Sequence, residues 1–344
     1  MRKPVLPEEM AGTFFGVGSV GETDPRVPVE YVQQLEIPYA YQIPSLREED
    51  MIRQFGYLID GFEENDEDFV LDLGIDTFRS VMSSDTPMIP DCEHFHSLYL
   101  LLENSSYPVF KTQQTAPATM CYSTRGPEGG QYVSKQMLQF YTALMKRIAN
   151  GQKEHLESKC DRIILCQDDP ALGFVLEMNR NDPSIGLSLS EIWAATESVF
   201  PHEIIPAYHY CHDWRSIGEE DSHPIFESDP LIFHMDLLSY PPSVGSTLAE
   251  MMNGFMKKGG GLALGLIPNT DDSLKGNLMA VVQENLESTM EKFSKSGVDL
   301  DLLSRNAMIS TVCGLSGASK KMTREIHHRS REFPNLFVDV ISSF

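Results

Sequence analysis

The chain has 344 residues, of which 41% are hydrophobic and 22% are charged, a composition typical of a folded globular protein. Its formal charge of −23, from 27 basic and 50 acidic residues, argues against nucleic-acid binding, because phosphate backbones are bound by clustered Lys and Arg. No apolar run approaches the roughly 20 residues that cross a bilayer, so no membrane span is predicted.

The cysteines indicate a reducing compartment. All six are spread over the chain without a close Cys-x-x-Cys pair, which is not the pattern of a disulfide framework. The amino-terminal stretch MRKPVLPEEMAG also lacks the apolar core of a signal peptide. We therefore expect a cytoplasmic protein.

Eight apolar runs bounded by turn residues are predicted as strands. Most begin as continuously apolar segments, as expected for parallel strands that helices cover on both faces. The predicted strands are 12–19, 68–75, 107–114, 162–169, 204–211, 230–238, 260–268 and 306–314.

Amphipathic helices are predicted between these strands. The clearest has apolar residues three or four apart, with Gly151 placed to end it. Its apolar residues are Val133, Met137, Phe140, Leu144 and Ile148. A second lies at 274–293, and 326–333 is predicted as the solvated face of the last helix. Strand and helix alternating in this way predict an α/β fold, a (β/α)8 TIM barrel forming a single domain over residues 1–344.

Polar residues stand where the predicted strands end. In such barrels the carboxyl-terminal ends of the strands surround the active site, so we expect these side chains to meet in one pocket. They are Gly18, Ser19, Lys111, Thr112, Gln113, Asp168, Asp169, His209, Cys211, His234, Asp236 and Cys313.

His209 and Cys211 are the first candidate metal ligands. Residues two apart in a strand point to the same side, and the same rule pairs His234 with Asp236. With Cys313 at the end of the eighth strand, an imidazole and two thiolates suit Zn²⁺ at a catalytic site. The alternative is that these side chains pack a strand, since a core histidine bonded to Asp236 or to backbone needs no metal.

A second metal-like stretch, DCEHFH at 91–96, holds Cys92, His94 and His96. It lies beside a proline-rich turn and has no distant partner in the sequence. We assign it no role.

Five segments, taken in order, resemble the cobalamin-independent methionine synthase and uroporphyrinogen decarboxylase superfamily. The first is similar to its opening Gly-Ser turn, the next two to its K-G-x-x-T-G-P-x-T and D-E-P-A-L segments and the last two to its zinc-binding segments, and the resemblance extends over nearly the whole chain. The segments are GVGSVGETDP (16–25), FKTQQTAPAT (110–119), CQDDPAL (166–172), HYCHDW (209–214) and VCGL (312–315). The H-x-C and the later cysteine favour the single-barrel zinc methyltransferase branch.

In that branch zinc binds an acceptor thiol and holds it as a thiolate, which attacks a methyl group. The resemblance implies that His209, Cys211 and Cys313 are zinc ligands. Asp236 takes the place of a Glu ligand, with His234 as the alternative. Asp168 and Asp236 are the implied catalytic carboxylates. The implied substrate-binding residues are Gly18 and Ser19 for an acid group, Asp168 for an ammonium group, and Lys111 and Gln113.

The resemblance also implies the partners, a small-molecule thiol acceptor and a methyl donor that is a corrinoid protein or a methylated folate. GSVGETDP lacks a proline and a basic residue of related turns, and LIPNTDD (266–272) departs from the synthase segment. Thiol alkyl transfer is therefore better supported than methionine synthesis. Two alternatives remain open, a uroporphyrinogen-decarboxylase-like enzyme and a non-catalytic zinc- or corrinoid-binding barrel.

Overall fold

The computed structural model describes residues 5–65, 68–218 and 222–344. In these ranges ten strands form two sheets, and the larger has seven parallel strands in the order β1-β10-β9-β8-β7-β6-β4. The strands are β1 (Phe14–Phe15), β2 (Phe62–Glu64), β3 (Phe69–Leu71), β4 (Tyr107–Thr115), β5 (Thr124–Arg125), β6 (Cys160–Asp168), β7 (Ile205–His209), β8 (Ile232–Asp236), β9 (Gly261–Ile267) and β10 (Ala307–Thr311). The predicted α/β class is confirmed.

Fourteen α-helices are described in the same ranges. They are α1 (Val29–Val32), α2 (Arg53–Gly56), α3 (Ile75–Ser83), α4 (His96–Leu102), α5 (Pro117–Ser123), α6 (Lys135–Leu156), α7 (Leu172–Asn181), α8 (Leu189–Val199), α9 (Pro224–Glu227), α10 (Ser246–Lys257), α11 (Leu278–Ser296), α12 (Leu300–Asn306), α13 (Lys320–Arg329) and α14 (Phe333–Ile341). No helix in the described part of the chain combines the length and apolarity that a bilayer crossing requires.

The large sheet is curled, because residues from both of its edges meet in one apolar cluster. This cluster is separate from the larger core that includes the buried helix faces. Its members on the sheet are Phe15, Val109, Ile164, Cys166, Ala207, Ile232, Ala263 and Met308, and Leu6, Met10 and Ile37 complete it. A flat sheet would hold Phe15 of β1 and Val109 of β4 six strands apart, so the inner cluster is the interior of a partial barrel.

The second predicted strand is wrong as a member of this sheet. Residues 69–71 form β3, which pairs with β2 and β5 in a small separate sheet. The gap between β1 and β4 is bridged by residues 38–42, through parallel bridges Tyr39 to Lys111 and Ser19 to Gln42. Proline at 38 and 44 limits regular pairing there. Within the described ranges the large sheet thus has seven regular strands and does not show the predicted set of eight.

Helix α6 confirms the predicted apolar stripe but not its predicted end. Met137, Phe140, Leu144 and Ile148 are all buried, and the helix continues past Gly151 to Leu156. A Cβ on Gly151 would lie 2.0 Å from the backbone oxygen of Met88. Glycine is therefore required by the close approach of another segment and not by a helix end.

Gly151→Ala is expected to destabilise the protein by about 1–3 kcal/mol, because backbone atoms of residue 88 must move. The matched control is Gly254→Ala in helix α10, where an added Cβ meets nothing within 4 Å. That substitution should stabilise by about 0.5–1 kcal/mol through helix propensity. Urea unfolding of both variants measures the difference, and equal effects of the two would contradict the packing explanation.

The predicted solvated face at 326–333 is wrong for His327. This side chain is buried, with Nε2 2.8 Å from the Tyr39 hydroxyl and Nδ1 2.6 Å from the Thr323 carbonyl oxygen. Burial lowers the pKa of His327 from 6.5 to about 4. The ring is therefore neutral in the folded protein near neutral pH.

The stability of the protein should carry a pH dependence from this residue. Below about pH 6.5 His327 binds a proton in the unfolded chain but not in the folded chain. The free energy of unfolding therefore falls as pH falls. Between about pH 7 and about pH 5 the loss amounts to about 2 kcal/mol. Comparing wild type with His327→Gln by denaturant unfolding isolates this contribution. The exposed neighbour serves as control, and His328→Gln should keep the wild-type pH slope.

Candidate metal centre

Three predicted ligands lie at the carboxyl ends of the curled sheet. His209 is the last residue of β7, Cys211 follows two residues later, and Cys313 follows two residues after β10. One ligand atom from each of these residues lies within 4.8 Å of the others. We call His209, Cys211 and Cys313 the ligand group.

Local hydrogen bonds hold both loops of the ligand group. The Asp169 amide donates to the His209 carbonyl oxygen at 3.0 Å, which continues the pairing of β6 with β7. At the end of β10 the Thr311 hydroxyl donates to the Cys313 carbonyl oxygen at 2.7 Å. At the following residue, Gly314, an added Cβ would lie 2.1 Å from the Ser19 hydroxyl oxygen, so the Ser19 hydroxyl would have to rotate away.

The three donor atoms of the ligand group lie as close together as zinc would hold them, or closer. Nε2 of His209 lies 2.9 Å from Sγ of Cys211 and 3.7 Å from Sγ of Cys313, and the two sulfur atoms are 3.4 Å apart. Tetrahedral zinc with ordinary bond lengths would hold such atoms about 3.6–3.8 Å apart. His209 is buried while both cysteines are partly exposed. The donor types and the separation of His209 from Cys313 therefore fit zinc, while Cys211 lies closer to His209 than bound zinc would hold it.

The two thiols influence each other strongly. The pKa of Cys313 is lowered, to about 4, by hydrogen bonds from Cys211 and then from His209, although burial opposes this. The pKa of Cys211 is raised, chiefly because its proton is shared with Cys313 and because it is buried. For His209, burial lowers the pKa, but the negative sulfur of Cys313 outweighs it and the net shift is upward. One anionic sulfur is thus present at neutral pH.

His234 lies beside the ligand group and is not part of it. Its Nδ1 is 2.7 Å from Nδ1 of His209, and its Nε2 is 2.8 Å from the carbonyl oxygen of Thr311. Both ring nitrogens are therefore engaged. The alternative in which His234 replaces Asp236 as a ligand is not supported by this arrangement.

Asp236 also lies outside the ligand group. Its Oδ1 accepts the backbone N–H groups of Leu238 and Ser239 at 3.0 and 2.9 Å, so the carboxylate caps the turn after β8. It is near enough for its charge to raise the pKa of Cys211. Ligation and a catalytic role for Asp236 both stay predictions.

Asp168 ends β6 and pairs in register with His209 of β7. Burial raises the pKa of this carboxyl, while the positive charges of His209 and Lys111 oppose the shift. Its hydrogen bond from Cys166 is long, at 3.5 Å. A carboxylate with so weak a partner can bind a cationic group at this end of the sheet.

The remaining predicted residues form a second patch around the turn after β1. The Lys111 ammonium is fully buried and donates to the Val17 carbonyl oxygen at 2.8 Å and to Oε1 of Gln113 at 3.1 Å. Gln113 in turn donates to the carbonyl oxygen of Ala40. Burial lowers the pKa of Lys111. Both side chains are thus engaged in holding backbone, and their substrate contacts stay predictions.

Gly18 and Ser19 lie against this patch. A Cβ on Gly18 would be 3.2 Å from Nε2 of Gln113, and Ser19 is bridged to Gln42. The Ser19 carbonyl oxygen accepts the amide of Leu315 at 2.8 Å, which ties this turn to the loop that carries Cys313. The predicted acid-binding turn is therefore next to the ligand group, although its role is a prediction.

No family model and no curated protein sequence matches the chain. Among solved structures, the chain is similar to a B12-independent methionine synthase from Shewanella sp. W3-18-1 in complex with selenomethionine, with 17% identity and a TM-score of 0.48 over 72% of this chain and 67% of that one. It is also similar to a methyltransferase from Methanosarcina mazei, with 12% identity and a TM-score of 0.49 over 96% of this chain and 94% of that one. It is similar as well to an endo-1,4-beta-D-xylanase 10B from Clostridium thermocellum, with 10% identity and a TM-score of 0.44 over 97% of this chain and 70% of that one. At these values none of the likenesses assigns an activity.

The stretch at 91–96 forms no metal group with other described residues. Nδ1 of His94 is 2.8 Å from Asp91, and Nδ1 of His96 is 2.9 Å from Glu49. Cys92 is exposed. The histidines therefore serve as hydrogen-bond partners of nearby carboxylates.

Two parts of the site are missing from the sequence-based prediction. The Thr311 carbonyl oxygen is backbone, and any residue type would supply it. The segment at 38–42, which lies against Lys111 and the turn after β1, is short and carries alternating tyrosines between two prolines. Its period-two pattern, Tyr39 and Tyr41, was the signal that could have identified it.

Proposed function

We propose that this chain is a zinc-dependent alkyl transferase, acting as a methyltransferase on a thiol, built on a (β/α)8-type barrel. One observation carries the proposal, the ligand group of His209, Cys211 and Cys313 at the carboxyl ends of the strands, with both cysteines partly exposed. One imidazole and two thiolates leave an open position, as catalytic zinc sites do. Zinc bound there would lower the pKa of an added thiol and hold it as a thiolate.

The surrounding residues are assigned to the acceptor. Asp168 would bind an ammonium group, because its half-buried carboxylate lies near the ligand group with one weak partner. The turn at Gly18 and Ser19 would bind an acid group, and Lys111 and Gln113 hold that turn. Asp236 is proposed as the fourth ligand when no acceptor thiol is bound, and as a catalytic carboxylate. In the reaction the acceptor sulfur bonds to a methyl carbon as the bond from that carbon to the donor breaks.

The proposed donor is a corrinoid protein or a methylated folate, and the proposed compartment is the cytoplasm. All six cysteines are free thiols in the structure, which a reducing compartment maintains. A uroporphyrinogen-decarboxylase-like reaction is less well supported, because it gives no reason for an imidazole and two thiols to converge.

The test begins with zinc content of protein purified without chelator, beside a Cys211→Ser, Cys313→Ser double variant. We expect about one zinc per chain in wild type and none in the variant. Thiols are then incubated with methylcobalamin or methyltetrahydrofolate, and mass spectrometry detects the methyl thioether. Zinc with no thioether from any pair would indicate a non-catalytic binding barrel, and no zinc uptake would refute the proposal.

A further inference from the structure

A buried chain of hydrogen bonds runs from the ligand group across the sheet. Nδ1 of His209 on β7 is 2.7 Å from Nδ1 of His234 on β8, and Nε2 of His234 is 2.8 Å from the carbonyl oxygen of Thr311 on β10. His234 has no exposed surface, and its ring is held between His209, at 4.4 Å between ring centres, and Phe15, at 6.1 Å.

The chemistry of these three groups assigns each proton. A carbonyl oxygen can only accept, so Nε2 of His234 carries a hydrogen and donates it to Thr311. His234 is fully buried, which favours its neutral ring, and in that ring the other nitrogen has a lone pair. Nδ1 of His234 must therefore accept a hydrogen bond, and the donor is Nδ1 of His209.

The proton on Nδ1 of His209 decides which nitrogen faces the cysteines. With Nδ1 protonated, Nε2 is the nitrogen that offers a lone pair, and Nε2 is the atom that lies 2.9 Å from Cys211 and 3.7 Å from Cys313. The opposite tautomer would direct a hydrogen at the metal position and two lone pairs at each other across 2.7 Å.

We propose that His234 is a positioning residue that sets the tautomer and ring orientation of His209 for metal binding. Histidine ligands of metals commonly donate their other N–H to a carboxylate, a carbonyl oxygen or water. Here the acceptor is a neutral imidazole, so it adds no negative charge next to two thiolates. The inference rests on the metal centre of the proposed function but not on alkyl transfer.

The first test reads the tautomer directly, without metal. Protein labelled with ¹⁵N in histidine gives side-chain nitrogen signals, and the His209→Gln variant identifies those of His209. We expect Nδ1 of His209 to stay protonated through a pH titration, while Nε2 releases its proton at alkaline pH. A neutral His209 protonated on Nε2 would overturn the inference, whatever the activity of the protein.

The second test compares zinc affinity by competition with a chelator. His234→Leu removes the acceptor and should weaken zinc binding by about 10- to 100-fold. His234→Gln can accept from His209 and donate to Thr311, so it should recover most of the affinity. The matched control is His223→Leu, which removes another buried histidine, bonded to the Trp214 carbonyl oxygen at 2.9 Å, and should leave affinity unchanged.

The outcomes separate this inference from the proposed function. Wild-type zinc affinity in His234→Leu overturns the positioning role alone. The expected tautomer and affinity loss without any thiol alkylation contradict the transferase function alone. If His234→Leu does not fold, the tautomer of His209 in wild type and the zinc affinity of His234→Gln still test the positioning role. Wild type that takes up no zinc overturns both.

Discussion

Replacing either cysteine of the ligand group by serine is expected to lower zinc affinity well beyond about 100-fold. Loss of a residue that only supports a ligand costs about 10- to 100-fold, and loss of a ligand removes a metal bond itself. Serine keeps the size of cysteine but stays protonated at neutral pH, so it offers no anionic donor. Chelator competition on Cys211→Ser and Cys313→Ser measures the affinity, and methyl thioether formation should be lost with the metal.

The control for this prediction is Cys92→Ser. Cys92 is exposed and lies in the metal-like stretch at 91–96, where no group of ligand atoms forms among the described residues. We expect this variant to bind zinc and to transfer methyl groups like wild type. Equal zinc loss in all three variants would show that the metal is bound elsewhere or non-specifically.

Asp168→Asn is expected to lower kcat/KM by about 30-fold or more for an acceptor thiol that carries an ammonium group. The half-buried carboxylate lies beside His209, and loss of one partner of a buried charged pair costs about 2–5 kcal/mol, of which we expect the lower end. Because the amide keeps the shape of the side chain, zinc content should not change. The measurement compares two acceptors, one with an ammonium group and one thiol without it.

The two acceptors make this prediction specific. For the thiol without an ammonium group, Asp168→Asn and wild type should differ little. Asp161→Asn, an exposed residue on the same strand, should behave as wild type with both acceptors. If Asp168→Asn affects both thiols equally, the carboxylate acts on the metal centre or on the fold and not on the ammonium group.

Most strands of the curled sheet could be predicted because their burial on both faces appears in the sequence as uninterrupted apolar runs. The predicted 107–114, 162–169 and 260–268 match β4, β6 and β9 within two residues at each end. The run at 68–75 failed, because apolar character does not say which sheet a strand joins. Its partners β2 and β5 are decided by contacts that no local pattern contains.

The candidate site was also predicted from the sequence only in part. The i, i+2 rule placed His209 and Cys211 on one side of a strand, and the position of Cys313 after the last strand placed it at the same end of the sheet. The same rule paired His234 with Asp236 as equal candidates. In the structure His234 is hydrogen-bonded to His209 and Asp236 caps a turn, because each meets a different neighbour.

The sequence by itself determined the α/β class, the order of most strands and the residue types that gather at their carboxyl ends, since these follow from periodicity and strand direction. Only the tertiary structure decided that the described part of the large sheet holds seven regular strands, that His327 is buried, and that His234 is hydrogen-bonded to His209. These features depend on contacts and hydrogen bonds between residues far apart in the chain. The position of a proton on a histidine ring depends in the same way on the groups that the ring contacts.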